Sequence, residues 1–173
     1  MIPIETAFVG LVILFGMIGL LRGWAKELLV SFSVILARFV EFVLLEYVPV
    51  VNLALQALPP DTWLYVRLLI FIFIIAFGYA TTVISAALGS RARKDKFEDT
   101  LLGFFIGLIN GYLVVGSVWG FLADKGYEIW GITAPTTDAA MAIIDYLPTA
   151  WLGGPLLFVA VAVSFVFVLV VFV

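Results

Sequence analysis

Apolar positions in this chain do not alternate with polar ones; they run in long blocks. Five blocks reach about 20 residues, the length a helix needs to cross the hydrocarbon core of a bilayer. They span residues 4–21, 28–48, 63–88, 101–123 and 155–173. Strands of a membrane barrel would alternate in short stretches instead. The pattern predicts an all-α, polytopic transmembrane bundle of five spanning helices, a four-span core plus a C-terminal span, forming one membrane domain over residues 1–173. The connections differ in character. "PVVNLALQALPPDTW" (49–63) is apolar and ends in Pro59-Pro60, so it reads as a loop lying along the outer interface. "GSRARKDKFED" (89–99) reads as a solvated loop. In the longest connection, 124–154, Asp138 is placed to cap a short helix running to Leu147, with Pro148 as its stop. Tyr127, Trp130, Tyr146 and Trp151 fit an aromatic belt at the outer interface.

Composition narrows the chemistry. Hydrophobic residues make up 65% of the 173 and charged residues 12%, and the mean hydropathy is +1.24. A small globule has too little interior to hide that much apolar surface, so the chain belongs in a membrane. Cysteine and histidine are both absent. That excludes thiolate chemistry, Cys metal sites and disulfides, and it removes the commonest general base and haem ligand. No cofactor is expected. A net charge of −3 without a large basic patch gives no reason to expect a nucleic-acid partner.

The positive charges are lopsided. Arg22 and Lys26 lie between spans one and two, and Arg91, Arg93, Lys94 and Lys96 between spans three and four; the other side has Lys125. Lys and Arg collect on the cytoplasmic side. The N-terminus is therefore expected outside and the C-terminus in the cytoplasm. Span one lacks a preceding basic stretch and a small-residue cleavage site, so it reads as retained.

Charges also sit inside the apolar blocks. Arg38 lies about 15 Å from the outer end of span two at 1.5 Å per residue. Glu41 is three residues on, within reach on one helix face. Glu46 is near the outer end of span two, and Arg67 has a comparable depth in span three. A charged side chain at mid-membrane costs about 2.5–3.5 kcal/mol on insertion scales, so partners are expected. The pairs predicted are Arg38–Glu41 within span two and Arg67–Glu46 across spans two and three. The alternative is a polar pathway for ions, protons or a lipid head, which intramembrane ionisable groups often mark.

Small residues recur on helical spacing. Gly103, Gly107 and Gly111 stand four apart in span four, and Gly116 and Gly120 repeat that step. Asn110 borders this groove and could hydrogen-bond across it. Span one offers Gly16, Gly19 and Gly23. Such faces let backbones approach closely. They predict packing of span four against span one, or an interface in a homo-oligomer or larger membrane complex.

Two stretches carry a resemblance. "IETAFVGLVILFGMIGLLRGWAKELL" (4–29) has an acidic residue before an apolar span, Arg-Gly at its inner end and a basic–acidic pair opening the next. "EDTLLGFFIGLINGY" (98–112) has an acidic residue, then Leu-Gly, then glycine at two further four-residue steps. The chain resembles, over about residues 4–123, the colicin V production (CvpA-like) family of small bacterial inner-membrane proteins. On that resemblance Glu5 stands where the family has Asp. Arg22, Gly23 and Glu27 match its first motif, and Asp99, Gly103, Gly107 and Gly111 its second. Thr100 and Asn110 depart from the family's Arg. The resemblance implies a bacterial cytoplasmic-membrane location and a role in envelope function or toxin production and export, without catalysis. The residues themselves add that Arg22 and Lys26, four apart, could share one basic helix face at the membrane surface, with Glu27 or Asp99 pairing to it. An accessory subunit of a bioenergetic or photosynthetic complex and a small transporter or channel are the alternatives. No Ser–His, HExxH or carboxylate cluster supports a membrane enzyme.

Overall fold

A computed structural model describes residues 3–80, 96–127, 132–135 and 137–172. Among these every regular element is a helix, with no strand. Four helices are long and apolar enough to cross a membrane. These are α1 (Ile4–Arg22), α2 (Trp24–Glu46), α4 (Pro60–Ala80) and α5 (Lys96–Asp124). α8 (Gly154–Phe172) is apolar as well, though its apolar stretch, Gly154–Val170, is shorter. Three short helices complete the described set: α3 (Pro49–Gln56), α6 (Asp138–Ile144) and α7 (Pro148–Trp151). The chain is a multi-pass helical membrane bundle.

α2 is the central element. It packs against α1, α3, α4, α5 and α8, whereas α4 meets α5 over only a small area. The most extensive pairing joins α1 to α5. The two run antiparallel, because Gly19 lies at Gly103, Gly16 and Phe15 at Gly107, and Val12 at Gly111. A side chain on Gly107 would come within 2.5 Å of the Phe15 carbonyl oxygen. Absence of Cβ on both sides is what lets the two backbones touch, and in lipid such contact is the main source of helix–helix attraction. Gly78, whose spacing gave no signal, does the same between α4 and α2 by lying against Ser33.

Several expectations change in the structure. The stretch 49–63 is not a loop throughout: Pro49 opens α3 from a first-turn position, where its missing N–H costs nothing, and Pro60 opens α4 in the same way. Thr137, rather than Asp138, caps α6, its hydroxyl accepting from the Ala140 N–H at 3.2 Å. That helix ends at Ile144, and Pro148 starts a new helix instead of stopping the old one. Gly116 and Gly120 face Pro148 and Thr149 of α7, so this second glycine step seats a return segment of the same chain. Tyr127 is buried and accepts a hydrogen bond from Trp119 Nε1 at 3.0 Å, while Tyr146 and Trp151 are exposed. Residues 81–88 of the expected third span, Arg91, Arg93, Lys94 and Trp130 lie outside the described residues.

α8 rests on α2 through edge-to-face rings, Phe32 with Phe167 and Phe39 and Phe42 with Phe158, centroids 5.5–5.8 Å apart. Such pairs add about 0.5–1.5 kcal/mol each beyond their buried area.

Candidate functional site along the α2–α5 seam

α2 and α5 run parallel. Trp24 lies by Asp99, Glu27 and Ser31 by Asn110, and Arg38 by Phe121. Along this seam the structure collects nearly all the polar residues singled out from the sequence, in two clusters.

The first cluster forms at the corner between α1 and α2. Gly23 adopts φ 82°, ψ 158°, a conformation open to glycine and strained for other residues. It breaks the helix between Arg22 and Lys26, so the two do not share one face. Arg22 instead turns inward to Glu27 at 2.5 Å, and its guanidinium lies 4.2 Å from the centre of the Tyr79 ring; Lys26 stays exposed. Gly23 cannot cap α2 with a side chain. Asp99, from the first turn of α5, does so across the interface, its Oδ1 accepting from the Trp24 N–H at 3.1 Å. One carboxylate thereby serves the positive ends of two helices. A Cβ at Gly23 would meet that carboxylate at 2.8 Å.

Glu27 is fully buried. Its Oε2 accepts from Asn110 Nδ2 at 2.8 Å, and the same amide reaches the Glu27 carbonyl at 2.8 Å. Ser31 Oγ donates to Asn110 Oδ1 at 2.6 Å. Asn110 thus bonds across to α2, while the neighbouring glycines bond α5 to α1. A buried carboxylate held by a cation and an amide avoids the cost of an unpaired charge.

The second cluster lies about 21 Å further along α2 at 1.5 Å per residue. Glu41 accepts from Arg38 Nη1 through Oε2 and from Arg67 Nε through Oε1. Arg67 Nη1 also donates to Asp124 Oδ2 at 2.9 Å. Both guanidiniums lie against the Phe121 ring, Arg67 at 4.1 Å and Arg38 at 5.3 Å from its centre. Arg67 does not meet Glu46. Glu46 ends α2, is exposed, and forms no ion pair among the described residues. Five residues separate it from Glu41, which places it about 140° away around the helix. Asp124 carried no signal because it sits in the connection after span four, and only the tertiary path of α5 brings it to α4. Glu5 lies in the first turn of α1, apart from both clusters.

A family model described as colicin V production protein matches residues 4–130. The chain belongs to this family. The match covers α1 to α5, and both clusters lie within it, whereas α6, α7 and α8 fall outside. In this colicin V production family member the motif residues Arg22, Gly23, Glu27 and Asp99, with the glycines of α5, form one joint among α1, α2 and α5. No curated protein and no solved structure matches the chain. Among the described residues no group of three or more acidic side chains is placed to hold a metal ion.

Proposed function

We propose that this protein is a non-enzymatic component of the bacterial cytoplasmic membrane that acts in toxin production or export, or in the wider envelope function tied to it, by assembling with other membrane chains. The observation that carries this reading is the use made of the intramembrane charges. Arg22–Glu27 joins α1 to α2, Glu41–Arg67 joins α2 to α4 and Arg67–Asp124 joins α4 to α5, while Arg38 pairs with Glu41 within α2; charges used this way are what a rigid membrane scaffold requires. The glycine faces of α5 are taken up by α1 and α7. Association with a second copy or another chain therefore uses the exposed apolar faces, such as that of α4 with Leu69, Ile72 and Phe73. The basic side faces the cytoplasm, with the N-terminus outside and the C-terminus inside, in line with the bias of Lys and Arg.

The test is restoration of toxin release in a colicin V-producing strain that lacks its own family member. Wild-type chain should restore release, and Gly103→Leu, which cannot seat α1 on α5, should not. Failure of the wild-type chain at normal membrane abundance would count against the reading. Orientation is checked separately in this cysteine-free sequence: a cysteine at Ser90 should label from the cytoplasm and one at Thr136 from outside, and the reverse pattern would invert the topology.

A further inference from the structure

The short helix α3, PVVNLALQ, joins the end of α2 to the start of α4. Two residues, Tyr47 and Val48, separate it from α2, and three, Ala57 to Pro59, from α4. Both neighbours are long and apolar enough to cross a membrane, which holds α3 at the bilayer surface where α2 ends. Charge marks that level: Glu46 closes α2 and Asp61 lies in the first turn of α4, both exposed. Tyr47, which is 61% exposed, and Trp63 flank α3 with rings that favour the headgroup region. α3 itself carries no charge.

Its faces are the reverse of those of a helix on a water-washed surface. Val50 is 77% exposed and Leu53 69%, and Ala54 and Ala57 are exposed beside them. These positions, i, i+3, i+4 and i+7, make one apolar stripe. Asn52 stands about 160° round the helix from Val50. Its Nδ2 donates to the Leu45 carbonyl at 2.7 Å, one of the last-turn oxygens that α2 cannot satisfy within itself. Its Oδ1 accepts from Gln56 Nε2 at 2.5 Å. Asn52 is thus drawn back to α2, and the apolar stripe looks outward.

We propose that α3 is an in-plane membrane helix whose stripe of Val50, Leu53, Ala54 and Ala57 inserts among the acyl chains of the leaflet at which α2 ends. Water is a poor neighbour for such a stripe, because apolar surface is driven out of it. A protein partner needs more area. α3 is about 12 Å long and about 10 Å across, so its outer face offers about 120 Å², against about 800 Å² per partner in a stable protein interface. Lipid covers an apolar strip of any size and asks for no hydrogen bonds. Insertion anchors the α2–α4 connection at one depth of the bilayer, and with it the two helices that Glu41 and Arg67 join.

The experiment uses the full chain, which has no cysteine of its own, reconstituted in phosphatidylethanolamine–phosphatidylglycerol vesicles. Val50→Cys, Leu53→Cys, Glu46→Cys and Asp61→Cys each receive a nitrobenzoxadiazole fluorophore. A phospholipid with a nitroxide on its acyl chain should quench the labels at 50 and 53 several-fold more than those at 46 and 61. Iodide present on both sides of the membrane should do the reverse. Iodide that reaches 50 and 53 as readily as 46 and 61 would put the stripe in water and overturn the proposal. Labels at 50 and 53 shielded from both quenchers would show a protein covering and overturn it too. The wild-type chain gives a check free of substitutions: a phospholipid with a diazirine on its acyl chain should leave adducts on residues 49–57 after illumination. Adducts on residues 60–80 with none on 49–57 would overturn the insertion.

Discussion

Removing the carboxylate of Glu41 should cost more than any other single change to the intramembrane charges. Glu41 accepts from both Arg38 and Arg67, and the three side chains are 9%, 10% and 13% exposed. Glu41→Gln keeps the volume and deletes the charge. Two charge-assisted hydrogen bonds are weakened, each worth about 1.5–3 kcal/mol, and breaking a buried pair from one side costs about 3–5 kcal/mol. Arg67 retains Asp124, so the uncompensated charge falls on Arg38. The expected loss is about 3–5 kcal/mol. Deleting the stranded charge as well, in Arg38→Met with Glu41→Gln, should recover about half of it, since an apolar replacement of a buried pair is often close to neutral. Glu46→Gln, at an exposed position without an ion pair among the described residues, should stay within about 0.5 kcal/mol of wild type. The measurement is reversible unfolding in mixed micelles followed by far-UV circular dichroism and tryptophan fluorescence. Additive losses in the Arg38–Glu41 cycle, or a Glu46→Gln cost as large as that of Glu41→Gln, would refute the assignment of Glu41 as the shared acceptor.

Three further outcomes are expected. Gly103→Ala places a methyl group against the Gly19 carbonyl and the Gly23 backbone, and overpacking of this kind should cost about 1–3 kcal/mol and weaken disulfide cross-linking between cysteines placed on α1 and α5. Asp99→Ala removes the cap of α2 and should lose about 0.5–2 kcal/mol, while Asp99→Asn, which still accepts from the Trp24 N–H, should lose less; equal losses would show that the charge rather than the hydrogen bond matters. Burial raises the pKa of the Tyr127 phenol, with Asp124 adding to the rise and the Trp119 hydrogen bond opposing it. A phenol whose pKa is raised by folding contributes stability that is fully present below about pH 10, the ordinary value, and is lost as pH climbs through the folded value. Stability should therefore fall above about pH 10, and Tyr127→Phe should lessen that fall while costing about 1 kcal/mol at neutral pH for the unpaired Trp119 N–H.

What the sequence determined by itself is what depends on one helix at a time. Long apolar runs marked the helical class and the approximate positions of the four long apolar helices α1, α2, α4 and α5, because a bilayer requires every backbone group to be bonded within its own segment. The step of four between Gly103, Gly107 and Gly111 marked one face of α5 for close contact, since that spacing repeats on a helix whatever lies opposite. Arg38 and Glu41 met for the same reason: three residues apart, they are neighbours on any helix. Partners between helices were decided only by the tertiary structure. Arg67 chose Glu41 and Asp124 over Glu46 because α2 presents one side to α4, and Glu46 points about 140° away from it. Asp99 came to cap α2 from a position 75 residues later because the glycine contact of α1 with α5 brings two helix N-termini together at Gly23. Rotation about the helix axis and the relative height of two helices are set by the packing of the whole bundle, and a periodicity read along one segment carries neither.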